Sequence, residues 1–190
     1  ININTPYRGL LLYHGLGSGK TCSSIITAEG LKQKHDIVVL LPASLRQNYL
    51  KELMKCGDQI YRKLQHWDFI TTEEVNVSQL AQFLGIDKKY VVRMKGAWVY
   101  DAHKQPNFET LNEEQQLQIE KQILMMIENK YHIYNYNGMR RQHLDRLSEL
   151  AVGNPFDNKV VIIDEVHNLV NTIANKLKSE PNSMAILLYN

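Results

Sequence analysis

Residues 9–21, Gly-Leu-Leu-Leu-Tyr-His-Gly-Leu-Gly-Ser-Gly-Lys-Thr, constrain this chain more than any other stretch. An apolar run leads into three glycines within five residues, and Lys20-Thr21 then open a helix-compatible segment. Glycines let a backbone curl so that successive N–H groups face one anion, and a helix N-terminus adds the positive end of its dipole. His14, Gly15, Leu16, Gly17, Ser18, Gly19, Lys20, Thr21 and Cys22 therefore read as a phosphate-binding loop. Lys20 would reach the outer phosphates of a nucleoside triphosphate, and the Thr21 hydroxyl would ligate Mg²⁺. The strict G-x-x-x-x-G-K-[ST] pattern asks for glycine where this chain has His14, with Gly15 beside it.

Such a loop belongs on a parallel α/β sheet. Residues 9–13 are expected as a buried strand, 20–34 as a helix with Cys22, Ile25 and Ile26 inward, and 36–41 as a strand stopped by Pro42. Together they make a βαβ unit with a right-handed crossover. Ser44 and Gln47 have the spacing of a capping box for a second helix, whose apolar stripe is Leu45, Tyr49, Leu53 and Met54. The other reading of this corner puts Ser44 and the loop amides at the carboxyl edge of the sheet, where open α/β sheets hold ligands.

From about 58 to 130 the pattern loosens into an α+β insertion within a single domain spanning 1–190. A strand is expected at 66–70, a helix at 77–84, and a hairpin pairing 88–95 with 97–100 about Gly96. A polar loop spans 100–108, and a long helix runs from a capping box at Thr110 and Glu113 to about 129. A strand at 131–136 closes on the turn signal Asn137-Gly138, and a polar helix begins at Arg140. The β-prone run 159–163 ends in Asp164-Glu165-Val166-His167, and a helix follows from Asn168. Residues 183–190 suit a helix capped by Ser183, or a strand.

A carboxylate pair leaving a buried strand downstream of a phosphate loop has a mechanical meaning. Asp164 would hold Mg²⁺ through a water, and Glu165 would polarise the water that attacks the γ-phosphoryl group. The alternative, an acidic cap on the next helix, suits an isolated Asp-Glu. The upstream loop favours the first reading.

The two motifs resemble motifs I and II of superfamily 2 helicases and translocases of the D-E-x-H type, in which the first loop position is often not glycine. That resemblance implies a RecA-like first lobe that binds ATP and Mg²⁺, with His167 coupling the ATP site to motif III. Pro42-Ala43-Ser44-Leu45-Arg46 is similar to motif Ia, which in relatives touches the nucleic-acid backbone. Residues 8–15 and 134–138 resemble the helicase and transcription ATPases of large cytoplasmic DNA viruses, of poxvirus and giant-virus type. The implied partners are nucleic acid, with DNA favoured over RNA though the residues do not choose, a second RecA-like lobe, and viral transcription machinery. No motif III follows Asp164, and no motif VI arginine is present. The fragment alone is therefore expected to bind nucleotide weakly and hydrolyse it poorly.

Composition adds exclusions. A net charge of +2 demands no polyanionic partner, so any nucleic-acid surface is local. Arg140 and Arg141, with Asn137 and Gly138, follow a strand end on the same sheet edge as motif Ia and are the better candidates for phosphate contact. Lys88, Lys89, Arg93 and Lys95 form a second basic group whose ordinary reading is a solvated face. Cys22 and Cys56 lack metal-ligand spacing and are expected as free thiols in a reducing compartment. No apolar run approaches a membrane span and no signal peptide precedes Ile1, which implies an intracellular or cytoplasmic setting, including a virion or viral factory. The first residue is not Met and the last lies inside a patterned segment, as expected of a piece of a longer protein. Three functions fit: a nucleic-acid motor, a transcription-associated ATPase that remodels complexes without unwinding, and a non-catalytic nucleotide-binding module.

Overall fold

The computed structural model describes residues 9–13, 15, 17–31, 35–136, 142 and 154–176. Helices α1 (Lys20–Glu29), α2 (Arg46–Cys56), α3 (Val77–Leu84), α4 (Lys88–Met94), α5 (Glu113–Lys130) and α6 (Val166–Lys176) alternate with five strands. These are β1 (Asp36–Leu41), β2 (His66–Thr71), β3 (Gly96–Asp101), β4 (Tyr131–Asn135) and β5 (Lys159–Ile163). Among the described residues no helix is long and apolar enough to cross a membrane.

The main sheet runs β4-β1-β5 and both pairings are parallel, with Ile37 opposite Tyr131 on one side and Val160 on the other. β1 occupies the centre, which explains its uninterrupted Ile-Val-Val-Leu-Leu sequence: every residue after Asp36 is buried. Ile37, Val39 and Leu41 share one cluster with Ile25 and Ala28 of α1, Tyr49 and Leu53 of α2, and Ile123 and Ile127 of α5. Val38 and Leu40 point to the other face, where Leu169 and Ile173 of α6 cover them. A parallel sheet flanked by helices is the α/β, RecA-like arrangement expected from the loop motif.

Between β1 and β4 lies a second sheet, β2-β3, antiparallel, with Phe69 opposite Trp98 and Trp67 opposite Tyr100. Two strands leave two edges whose backbone groups need partners. Side-chain amides supply them on both sides. On β2, Asn107 accepts from Trp67 N at 2.8 Å and donates to Trp67 O at 3.1 Å. On β3, the fully buried Gln122 of α5 accepts from Trp98 N at 2.9 Å and donates to Trp98 O at 2.7 Å. Each amide stands in for one residue of a missing neighbouring strand, and Gln122 thereby fixes α5 against the small sheet.

Several expectations are corrected. Residues 9–13 are not a buried strand: they pair with no strand, and Leu11 and Tyr13 are 74% and 90% exposed. An apolar run becomes a buried strand only where a sheet edge receives it, and among the described residues no strand pairs with the outer edge of β5. Residues 88–94 form a helix rather than half of a hairpin, because Asp87 caps them and Tyr90 and Val91 turn inward on the helical period. The strand β3 pairs instead with β2. The capping box expected at Ser44 and Gln47 does not form, because a 3₁₀ turn over Ala43–Leu45 precedes α2. That at Thr110 and Glu113 is replaced by Asn112 and Gln115, two residues on, since Phe108–Thr110 are themselves a 3₁₀ turn. The last helix starts at Val166, two residues before Asn168. The expected helix from Arg140 and the segment 183–190 lie outside the described residues.

Candidate nucleotide site

Because β4, β1 and β5 are parallel, their carboxyl ends share one edge of the sheet, and the candidate residues collect there. The loop before α1 is bent by Gly17 at φ 73° and Gly19 at φ 79°, a left-handed geometry that side chains with a Cβ adopt poorly. Space is not what selects glycine, since a Cβ at Gly15, Gly17 or Gly19 would meet nothing within 4 Å. The loop is thus open on its outer side, as a cradle for an anion must be. Ser18 Oγ donates to Gly15 O at 2.7 Å, and Lys20 Nζ donates to the same carbonyl at 3.1 Å. Thr21 and Cys22 complete the first turn of α1, where helix amides have no intrahelical acceptor. His14 and Leu16 lie outside the described residues.

The acidic pair sits at the end of β5. Asp164 N donates to Leu40 O at 2.9 Å, which continues the β1–β5 ladder one residue past the strand. Burial raises the Asp164 carboxyl above the usual carboxylate range and the adjacent Glu165 charge adds to the rise, while the Glu165 amide and the Lys20 ammonium oppose it. The Lys20 ammonium is the smallest of these influences, and its own hydrogen bond goes to the Gly15 carbonyl. The half-buried Asp164 carboxylate and the Thr21 hydroxyl at the head of α1 are oxygen donors of the kind Mg²⁺ takes, so the residues present fit that ion. Glu165 has φ 51°, unusual for a residue with a long side chain, and its backbone is held by Tyr136 Oη and Asn168 N, both donating to Glu165 O, at 3.2 and 3.0 Å. The two carboxylates have different partners: Asp164 Oδ1 accepts the Glu165 amide, whereas Glu165 Oε2 lies 3.3 Å from His167 Nδ1.

The motif Ia candidates occupy the same edge. Pro42 is buried under the end of β1, Ser44 is exposed, and Leu45 is half-buried. Arg46 turns inward instead, donating from Nη1 to Ile133 O at 2.8 Å on the outer edge of β4 and pairing with Glu128 at 3.5 Å. Asn137, Gly138, Arg140 and Arg141 lie outside the described residues, although β4, which leads to them, ends beside Pro42.

Three features escaped the sequence. Tyr136 steadies Glu165 from 29 positions away, and nothing local in the sequence signals that contact. Tyr49 of α2 is buried beside Ser24 and Asp164, and burial pushes its hydroxyl well above the usual phenol range. Cys22 and Cys56 are not free thiols: packing of α1 on α2 brings their Cα atoms to 5.5 Å, and the sulfurs are joined in a disulfide beside Glu52. The bond ties the first turn of the loop helix to the last residue of α2.

No family model and no solved structure matches the chain. A protein of Acanthamoeba polyphaga mimivirus named "Putative ATP-dependent RNA helicase" is 26% identical over 99% of this chain, which covers 27% of that protein. A second mimivirus protein of that name is 44% identical over 34% of this chain and 6% of its own length. The "Termination factor NPH-I homolog" of African swine fever virus is 37% identical over 28% of this chain and 8% of its own length. The chain thus spans about a quarter of the first of these relatives.

Proposed function

We propose that this relative of the superfamily 2 helicase-like ATPases of large DNA viruses is the ATP-binding lobe of a nucleic-acid-dependent helicase or translocase. In this reading residues 1–190 are one RecA-like domain with an insertion at about 58–130. The observation that supports it is a glycine-bent loop running into α1 beside a parallel sheet whose β5 carboxyl end carries Asp164 and Glu165. Lys20 and the amides of the loop, from His14 to Cys22, would hold the phosphates; Thr21 and Asp164 would hold Mg²⁺. The cation would neutralise charge that develops between the outer phosphates. Glu165, whose carboxylate lies beside His167, would accept a proton from the attacking water, with His167 holding it in place. Pro42, Ser44 and Leu45, with Asn137, Gly138, Arg140 and Arg141 beyond β4, would meet the nucleic-acid backbone on the same edge.

Turnover in this scheme needs an arginine from a second lobe, so the test uses the chain joined to that lobe. Single-stranded or duplex DNA or RNA is expected to raise its ATP turnover at least about tenfold, within the range that such completing contacts supply. An ATPase rate indifferent to every nucleic acid would contradict the motor reading. Similarity to a protein named as a termination factor favours one alternative, an ATPase that remodels transcription complexes. Strand displacement coupled to turnover supports unwinding; nucleic-acid-stimulated turnover without displacement supports the alternative.

A further inference from the structure

We propose that α3 and α4 form a helix-turn-helix unit that binds duplex DNA, a second nucleic-acid surface separate from the ATP site. Its construction is specific. Asn76 caps α3 by accepting from Ser78 N at 2.8 Å, and α3 ends at Gly85 with φ 63°. The bond from Ile86 N to Ala81 O, 3.0 Å, closes that end, and Asp87 opens α4 by accepting from Lys89 N at 2.7 Å. Three residues, Gly85, Ile86 and Asp87, thus separate the helices, the short glycine-containing turn of such units. Leu80, Ala81, Leu84, Ile86, Tyr90 and Val91 are all buried, so the two helices pack as one body, with β3 behind it.

What remains outside is a basic face formed by the second helix and Lys95, the residue that caps its C-terminus. Lys88, Lys89, Arg93 and Lys95 are exposed, and Val92 stands among them 59% exposed. None of the four cations has a carboxylate within ion-pairing distance among the described residues; Arg93 lies over the Tyr90 ring at 5.6 Å. The nearest acidic side chains in sequence are occupied: Asp87 on the Lys89 amide, and Asp101 on the His103 amide and Lys104. No residue of the first turn of α4 is acidic, and two lysines there oppose the helix dipole, so they do not serve the helix itself. A stripe of unpaired cations on the second helix of a helix-turn-helix suits a polyanion with a groove that admits a helix. B-form DNA offers a major groove about 12 Å wide; the A-form RNA major groove is too narrow for side chains to read. Val92 would meet base edges or thymine methyls between the phosphate-contacting cations.

The test is fluorescence anisotropy of the chain with a 20-base-pair DNA duplex, without nucleotide, across a salt series. We expect binding whose log K falls with log salt. Lys88→Gln with Lys89→Gln is expected to weaken it about tenfold or more and to make the slope shallower by about two, roughly 0.9 per lost phosphate contact. Val92→Glu, on the same exposed face, is expected to weaken it comparably, and a thermal melt shows whether each variant is folded. Lys55→Gln with Lys121→Gln, exposed lysines elsewhere, is expected to change neither quantity. Lys20→Ala is expected to retain duplex binding, so failure of the ATP-site reading and failure of this one are distinguishable. Absence of duplex binding at low salt, equal loss in the control pair, unchanged binding in both face variants, or preference for an RNA duplex would each overturn the proposal.

Discussion

Replacing Glu165 with glutamine is expected to lower ATP turnover by about three orders of magnitude while leaving MgATP affinity within a few-fold. Removing a positioned general base typically costs 10²–10⁴ in rate. The expectation rests on the division of labour at the end of β5. Asp164 lies half-buried at the end of the strand, where the proposed cation would sit, and Glu165, with its left-handed backbone, approaches His167 with its carboxylate. Glutamine preserves the shape of the side chain and its approach to the imidazole but cannot take a proton. The measurement is steady-state turnover beside equilibrium nucleotide binding, on the chain joined to its second lobe. A variant that loses binding and rate together would place Glu165 in nucleotide holding rather than proton transfer.

The second large effect is structural. Gly96→Val is expected to destabilise the fold by about 3 kcal/mol or more, the range in which core clashes lie. For a chain of this size that lowers the melting temperature by roughly 10 °C. A Cβ at Gly96 would strike the Ile70 carbonyl oxygen and stand 2.7 Å from Phe69 Cζ. The clash falls on backbone within the β2–β3 pairing, where Thr71 opposes Gly96, and cannot be relieved by a rotamer change. It would also disturb the edge-to-face contact of Phe69 with Trp98, centroids 5.2 Å apart, and through Trp98 the Gln122 amide clamp. Gly30→Ala is the internal control. Its Cβ would meet Thr27 O at an ordinary 3.5 Å with φ −65°, so near-zero loss is expected. A thermal melt followed by near-ultraviolet circular dichroism, which reports Trp67 and Trp98, reads both variants.

The phosphate-loop pattern, the core strands and most elements between 58 and 130 were legible in the sequence, whereas the hairpin expected at 88–100 was not, for different physical reasons. A phosphate loop depends on local chemistry: glycines for left-handed turns, a lysine, and a hydroxyl at the head of a helix. The strands β1 and β5 are equally local, being uninterrupted β-branched and leucine runs, and their bounds were readable from Asp36 and Lys159 onward. The helix α4 was misread because Val91-Val92 favours a strand by propensity, whereas the cap at Asp87 and burial of Tyr90 and Val91 decide for a helix. Residues 9–13 show the opposite failure: local composition demanded burial, but burial is granted by a partner edge, a tertiary property. Gln122 and Asn107 could not have been singled out at all. Each looks like an ordinary polar residue until the strand edge it completes is seen.

The account stands most directly on the claim that the loop at 15–21 and the Asp164-Glu165 strand end are two halves of one nucleotide site. An equilibrium titration of the chain with a fluorescent ATP analogue, with and without Mg²⁺, measures this. The account predicts saturable single-site binding that Mg²⁺ tightens, that Lys20→Ala weakens by at least about a hundredfold, and whose Mg²⁺ dependence Asp164→Asn removes. A loss of that size corresponds to about 2.7 kcal/mol, reasonable for a cation on terminal phosphates. Binding unchanged in Lys20→Ala, or equally responsive to Mg²⁺ in Asp164→Asn, would contradict it.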